Sequence, residues 1–147
     1  MKKIFLTDSS NWTALIARLA IGITILPHGA QKLLGWFGGG GFNGTMGYFT
    51  EVLGIPAFIA LLVILIEFFG SLFLIFGFLT RLSALGILGV FIGVTVTHLE
   101  NGFFMNWSGA QSGEGVEYFV LLFGLAIISL IAGGGRASVD SALIKNN

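Results

Sequence analysis

The sequence predicts an all-α integral membrane protein, a four-helix bundle built as a single domain (residues 1–147) with both termini in the cytoplasm. Three observations predict it. Of 147 residues, 55% are hydrophobic and only 10% are charged, well under half of the roughly 25% usual in soluble domains. Four apolar stretches approach the roughly 20 residues that a helix needs to cross a hydrocarbon core of about 30 Å. The basic residues outside those stretches all fall on one side of them.

The first span runs from about Trp12 to Leu34 and is interrupted by Arg18, Pro27, His28 and Lys32. The second, about Pro56 to Leu79, holds a single charge, Glu67. The third covers about Leu82 to His98 and the fourth about Val116 to Ala132, both near the lower length limit for a spanning helix. Runs such as Leu72-Phe73-Leu74-Ile75-Phe76 lack the apolar–polar alternation of a membrane β-barrel strand, so helices are predicted throughout. Lys2, Lys3, Arg81, Arg136 and Lys145 lie at one set of helix ends, and Glu51, Glu100 and Glu114 lie in the loops at the other. The positive-inside rule makes the first set cytoplasmic.

The connection from about Gly35 to Ile55 carries Gly38-Gly39-Gly40-Gly41 followed by Phe42, Met46, Tyr48 and Phe49. It reads as a flexible turn with aromatic anchors at the membrane interface. No Gly-Lys-Ser/Thr follows, so it is not a phosphate loop. The start Met1-Lys2-Lys3-Ile4-Phe5-Leu6 is like a signal peptide, but Asp8, Ser9, Ser10 and Asn11 end its apolar run too early for cleavage to be expected. With no cysteine in the chain, disulfides, thiolate metal sites and a cysteine nucleophile are excluded. Seven basic residues balance seven acidic ones, leaving no surplus to neutralise the phosphates of a nucleic acid.

Ionisable groups within a span cost about 2.5 to 3.5 kcal/mol each on insertion scales, so each needs a partner or a purpose. At about 1.5 Å per residue, Arg18 lies roughly 8 Å and Glu67 roughly 18 Å above the cytoplasmic ends, with His28, His98 and Glu117 at roughly 22 to 25 Å. Lys32 is one turn beyond His28. An ion pair between Arg18 and Glu67 would latch the first two helices; Glu67 with Lys32 is the competing pairing. Small residues accompany the charges: Gly22 and Gly29 on the first helix, Gly70 and Ser71 on the second, Gly86, Gly89 and Gly93 on the third. Such stripes let helix backbones approach closely in lipid.

His28, Lys32, Glu67, His98 and Glu117 therefore form a candidate polar pocket towards the outer leaflet. A quinone or similar lipophilic head group suits it, with a histidine or lysine hydrogen-bonding a ring oxygen and Glu67 or Glu117 passing a proton. Haem held by His28 and His98 is disfavoured, because His98 lies about 120° around its helix from the glycine stripe. No metal site is expected, since the Glu-x-x-His spacing of dimetal bundles is absent. The competing readings are a purely structural role for the buried charges and interfacial positions for the histidines. A small proton-coupled transporter is a further alternative.

Arg18-Leu19, then Pro27-His28-Gly29-Ala30-Gln31-Lys32-Leu33, Glu67-Phe68-Phe69-Gly70-Ser71 and Gly77-Phe78-Leu79-Thr80-Arg81 resemble the DoxX family of small four-helix membrane proteins, over roughly Trp12 to Gly133. By motif position Arg18, Lys32 and Glu67 correspond to that family's recurring charged residues. The resemblance implies a multi-pass protein of the bacterial inner membrane, related to the membrane subunit of a thiosulfate:quinone oxidoreductase. It implies company with redox or detoxifying enzymes; since the residues offer no redox centre of their own, a redox enzyme or another membrane subunit in the bilayer is the expected partner, and self-association is a further expectation. The alternative is a non-catalytic anchor or assembly subunit.

Overall fold

The computed structural model describes residues 7–145. Lys2, Lys3 and the signal-like start lie outside the described residues, as does the side chain of Lys145. Every regular element among the described residues is helical.

Helix α1, Trp12–Leu34, begins where Asn11 Oδ1 accepts the Ala14 N–H at 3.0 Å and ends at Gly35, which takes the left-handed conformation at φ 74°. An N-cap side chain and a glycine past the last turn are the usual stops for a helix. Pro27 sits inside α1 without ending it. The connection that follows is more ordered than the expected flexible turn: a 3-10 turn at Trp36–Gly38 leads to helix α2, Gly41–Gly47, which runs on into a π turn, Tyr48–Val52.

Helix α3, Ala57–Leu65, passes through a π turn, Ile66–Gly70, into α4, Ser71–Phe76, and the three make one 20-residue rod. It stops at Gly77 (φ 67°) rather than at the expected Leu79. A glycine in the left-handed conformation is the usual stop, and the start of the next helix is held by a residue distant in sequence. Asp140 accepts the N–H groups of Leu79 and Thr80 at 2.8 and 2.9 Å and so caps the next helix, α5, Thr80–His98. A 3-10 turn, Leu99–Asn101, extends α5; α6 covers Glu117–Ala132 and α7 Val139–Lys145.

Trp12–Leu34, Ala57–Phe76 and Thr80–Asn101 are long and apolar enough to cross a membrane, whereas α6 is shorter at 16 residues. Helix α1 lies between the α3–α4 rod and α6, and α5 packs on α6. The shared core includes Ile21, Ile25, Leu74, Ile87, Phe91 and Phe119.

The glycines divide into two kinds. A Cβ on Gly29 would come within 2.6 Å of Phe68 N, and one on Gly22 within 2.9 Å of Ser71 O. These two let α1 touch the backbone of the rod, as the stripe on α1 predicts. Gly89 and Gly93 on α5 do not serve that purpose, because a Cβ on either would meet nothing within 4 Å. That half of the α5 stripe faces away from its own bundle.

Candidate functional site

Arg18 is 1% exposed, and its guanidinium is spent entirely on main-chain carbonyls. Nε donates to Gly134 O at 2.8 Å, one terminal nitrogen to the carbonyls of Leu74 and Ile75, and the other to those of Arg136 and Ala137. Five donors thus meet five acceptors, the full capacity of the group. The expected Arg18–Glu67 ion pair is not formed. The last turn of α4 and the segment after α6 present carbonyls to Arg18, and the planar fork fits several of them at once. Asp140, also 1% exposed, stands at the same end.

Glu67 pairs instead with Lys32. Nζ donates to Oε2 at 2.6 Å, with Glu67 1% and the Lys32 side chain 26% exposed. Geometry explains the choice. Gly29 brings α1 onto the backbone at Glu67–Phe68, and Lys32 lies one turn farther along the same face. Glu67 belongs to the π turn Ile66–Gly70, a local bulge that is frequent at functional sites.

Lys32 also lines an open cleft of about 420 Å³ between the end of α1 and α2, together with Gln31, Gly39, Gly40, Gly44, Thr45, Tyr48 and Phe49. Gln31 Nε2 donates to Phe37 O at 3.3 Å and ties the end of α1 to the 3-10 turn that follows it. Two hydrogens of the ammonium remain beyond the one given to Glu67. The cleft can therefore donate hydrogen bonds to a ligand, beside the aromatic rings of Tyr48 and Phe49.

The other three candidate residues do not join this pair. No hydrogen bond or ion pair links them to Lys32 or Glu67 among the described residues. His28 is exposed and makes no polar contact among the described residues. His98 hydrogen-bonds Val94 O through Nδ1 at 2.9 Å and meets the Phe119 ring edge-on, centroids 5.5 Å apart. A carbonyl only accepts, so Nδ1 carries the proton. Glu117 accepts the Trp107 indole N–H at 2.9 Å. Equal depth did not bring these groups together, because depth leaves the direction around each helix open. Among the described residues, no three histidine, aspartate or glutamate side chains are placed to hold a metal ion.

The family model for DoxX matches residues 13–100. The chain belongs to the DoxX family. It is 34% identical over 136 residues to the inner membrane protein YqjF of Escherichia coli (strain K12), an alignment covering 89% of this chain and 92% of that one. No solved structure matches it. As a DoxX protein with several long apolar helices, it is a multi-pass protein of the bacterial inner membrane.

The DoxX match takes in Arg18, Lys32 and Glu67 and ends before α6 and Asp140. Two residues of the polar sites escaped the sequence reading. Asp140 lies past the last apolar run, where a carboxylate passes for a solvated one; the turn chemistry of Ser138, whose Oγ accepts the Ser141 N–H at 3.1 Å, marks a helix start there. Thr45 lies in the glycine-rich connection, and nothing in its neighbourhood signals burial.

Proposed function

We propose that this DoxX protein is the membrane subunit of a quinone-linked redox system, and that the α1–α2 cleft holds the quinone head group while a partner enzyme supplies the redox centre. The observation that carries the reading is Lys32, one hydrogen of which is spent on a buried carboxylate while the side chain lines a 420 Å³ cleft. Lys32 donates to a ring oxygen, and Glu67, buried behind it, balances the ammonium and offers a proton path to that oxygen. His28, His98 and Glu117 are not needed for this geometry.

The same reading places four helices across the bilayer with the termini cytoplasmic. Arg81, whose terminal nitrogen donates to Leu130 O at 3.1 Å, and Arg136, stacked 4.5 Å over the Trp12 ring, stand at the end where α4, α5 and α6 meet the Arg18 cluster. Glu114, which accepts the Asn106 N–H at 2.8 Å, belongs to the connection at the opposite end. Arg81 and Arg136 at the one face, with Glu114 at the other, match an inward-positive orientation.

A non-catalytic anchor is the second reading, favoured by the closeness and burial of the Lys32–Glu67 contact itself. Equilibrium binding of decylubiquinone to the full-length protein in lipid nanodiscs separates the two. We expect saturable binding that His28→Ala retains and that the double variant Lys32→Met/Glu67→Leu loses by at least about tenfold. Absence of saturable binding by the unaltered protein would leave the anchor.

A further inference from the structure

We infer that Gly44 and Thr45 form the selecting wall of the α1–α2 cleft, with Gly44 leaving room for a ring and the Thr45 hydroxyl giving a neutral, carbonyl-bearing ligand its second hydrogen bond. The inference rests on the cleft being the ligand site proposed above.

The glycines that line the cleft are bare for different reasons. A Cβ on Gly39 would collide with the backbone of Gln31, so that glycine is required by the packing of the connection onto α1. At Gly40 a Cβ would make ordinary contact, 3.5 Å from Gly44 C. At Gly44 it would meet nothing within 4 Å, and the residue has no left-handed φ to accommodate. Gly44 sits inside α2, where glycine is a poorer helix former than almost any replacement. Neither backbone conformation nor packing calls for glycine there. What its missing side chain leaves is volume in the cleft wall.

Thr45 is the adjoining observation. It is 8% exposed and lines the cleft, and its hydroxyl has no hydrogen-bond partner among the described residues. Thr24, Thr50 and Thr95 return their hydroxyls to the carbonyl four residues back, at 2.7, 2.9 and 2.7 Å, whereas the hydroxyl of Thr80, like that of Thr45, makes no such bond. Unlike Thr80, Thr45 lines the cleft, where a ligand or water can complete its hydroxyl.

The chemistry of the ligand follows from charge and donors. Glu67 balances Lys32, so the pair adds no net charge to the cleft and a neutral molecule suits it better than an anion. Two ammonium hydrogens and one hydroxyl hydrogen are available, and a carbonyl oxygen accepts from such groups. Tyr48 and Phe49 give apolar faces against which a flat ring can lie. A lipophilic ring bearing a carbonyl meets all three conditions.

The test is decylubiquinone binding to the full-length protein in nanodiscs, with n-decylbenzene as the ring without oxygens. Thr45→Val, which keeps the shape and removes the hydroxyl, is expected to weaken decylubiquinone binding about tenfold and to leave n-decylbenzene binding unchanged. Gly44→Ala is expected to keep the melting temperature at or above that of the unaltered protein with binding reduced less than about threefold, and Gly44→Leu to reduce binding at least about tenfold. Should Gly44→Leu not fold, Thr45→Val decides. If both Thr45→Val and Gly44→Leu bind as the unaltered protein does while Lys32→Met/Glu67→Leu does not, the cleft remains the site and this inference is overturned. If the unaltered protein shows no saturable binding, both fall.

Discussion

Lys32 Nζ donates to Glu67 Oε2 at 2.6 Å, joining the C-terminal end of α1 to the π turn in the middle of the α3–α4 rod. Because Glu67 is almost wholly buried, removal of its partner alone strands a charge. Lys32→Met should cost about 3–5 kcal/mol, and Lys32→Met/Glu67→Leu should recover most of it, since a buried pair is often replaceable by apolar groups of similar size. Thermal denaturation in detergent measures both. A double variant no more stable than the single one would show that the pair is not a separable electrostatic unit.

Arg18 tests whether shape or charge matters at the opposite end. Lysine keeps the charge but cannot reach five carbonyls with one ammonium. Arg18→Lys should therefore lose about 3 kcal/mol or more, since several buried acceptors lose their donors at about 1–3 kcal/mol each. A melting temperature within a degree or two of the unaltered protein would mean that water takes over those carbonyls.

Gly29 and Gly89 carry the same residue type with opposite expectations. Gly29→Ala drives a methyl group into the backbone at Phe68 and should destabilise by about 1–3 kcal/mol. Gly89→Ala enters open space and should be neutral or stabilising by up to about 1 kcal/mol through helix propensity. Equal destabilisation by both in detergent would contradict the packing described for α5.

The absence of native cysteine makes the topology directly measurable. With a membrane-impermeant maleimide applied to intact cells, Asn106→Cys should label and Ser141→Cys should label only after lysis. The reverse pattern would invert the proposed orientation, and labelling of both in intact cells would put the two positions on one side and rule out four spans.

Apolar length and charge placement are one-dimensional properties, which is why the helices were legible from sequence. The first span was found at Trp12–Leu34, the same bounds that Asn11 and Gly35 impose. Depth is also one-dimensional, since rise per residue is nearly constant. It put Lys32 and Arg18 on either side of Glu67 but could not choose between them. That choice required knowing that Gly29 contacts Phe68, that α4 ends at Gly77, and that the chain after α6 returns to Arg18.

The histidines show the same limit. His28, His98 and Glu117 share a level, yet His28 is exposed, His98 is engaged with Val94 and Phe119, and Glu117 with Trp107. Angular position within a bundle depends on how every other helix packs, and in lipid no strong hydrophobic gradient orients an apolar helix.

By itself, then, the sequence determined an all-helical membrane protein, the places of its long apolar helices, its family and the three charges that had to be accommodated. Tertiary structure alone decided which charge meets which partner, and it alone revealed Asp140 as a cap and Thr45 as a cleft residue. The physical reason is that insertion into a membrane is governed by local composition, whereas pairing depends on close approach between segments far apart in the chain.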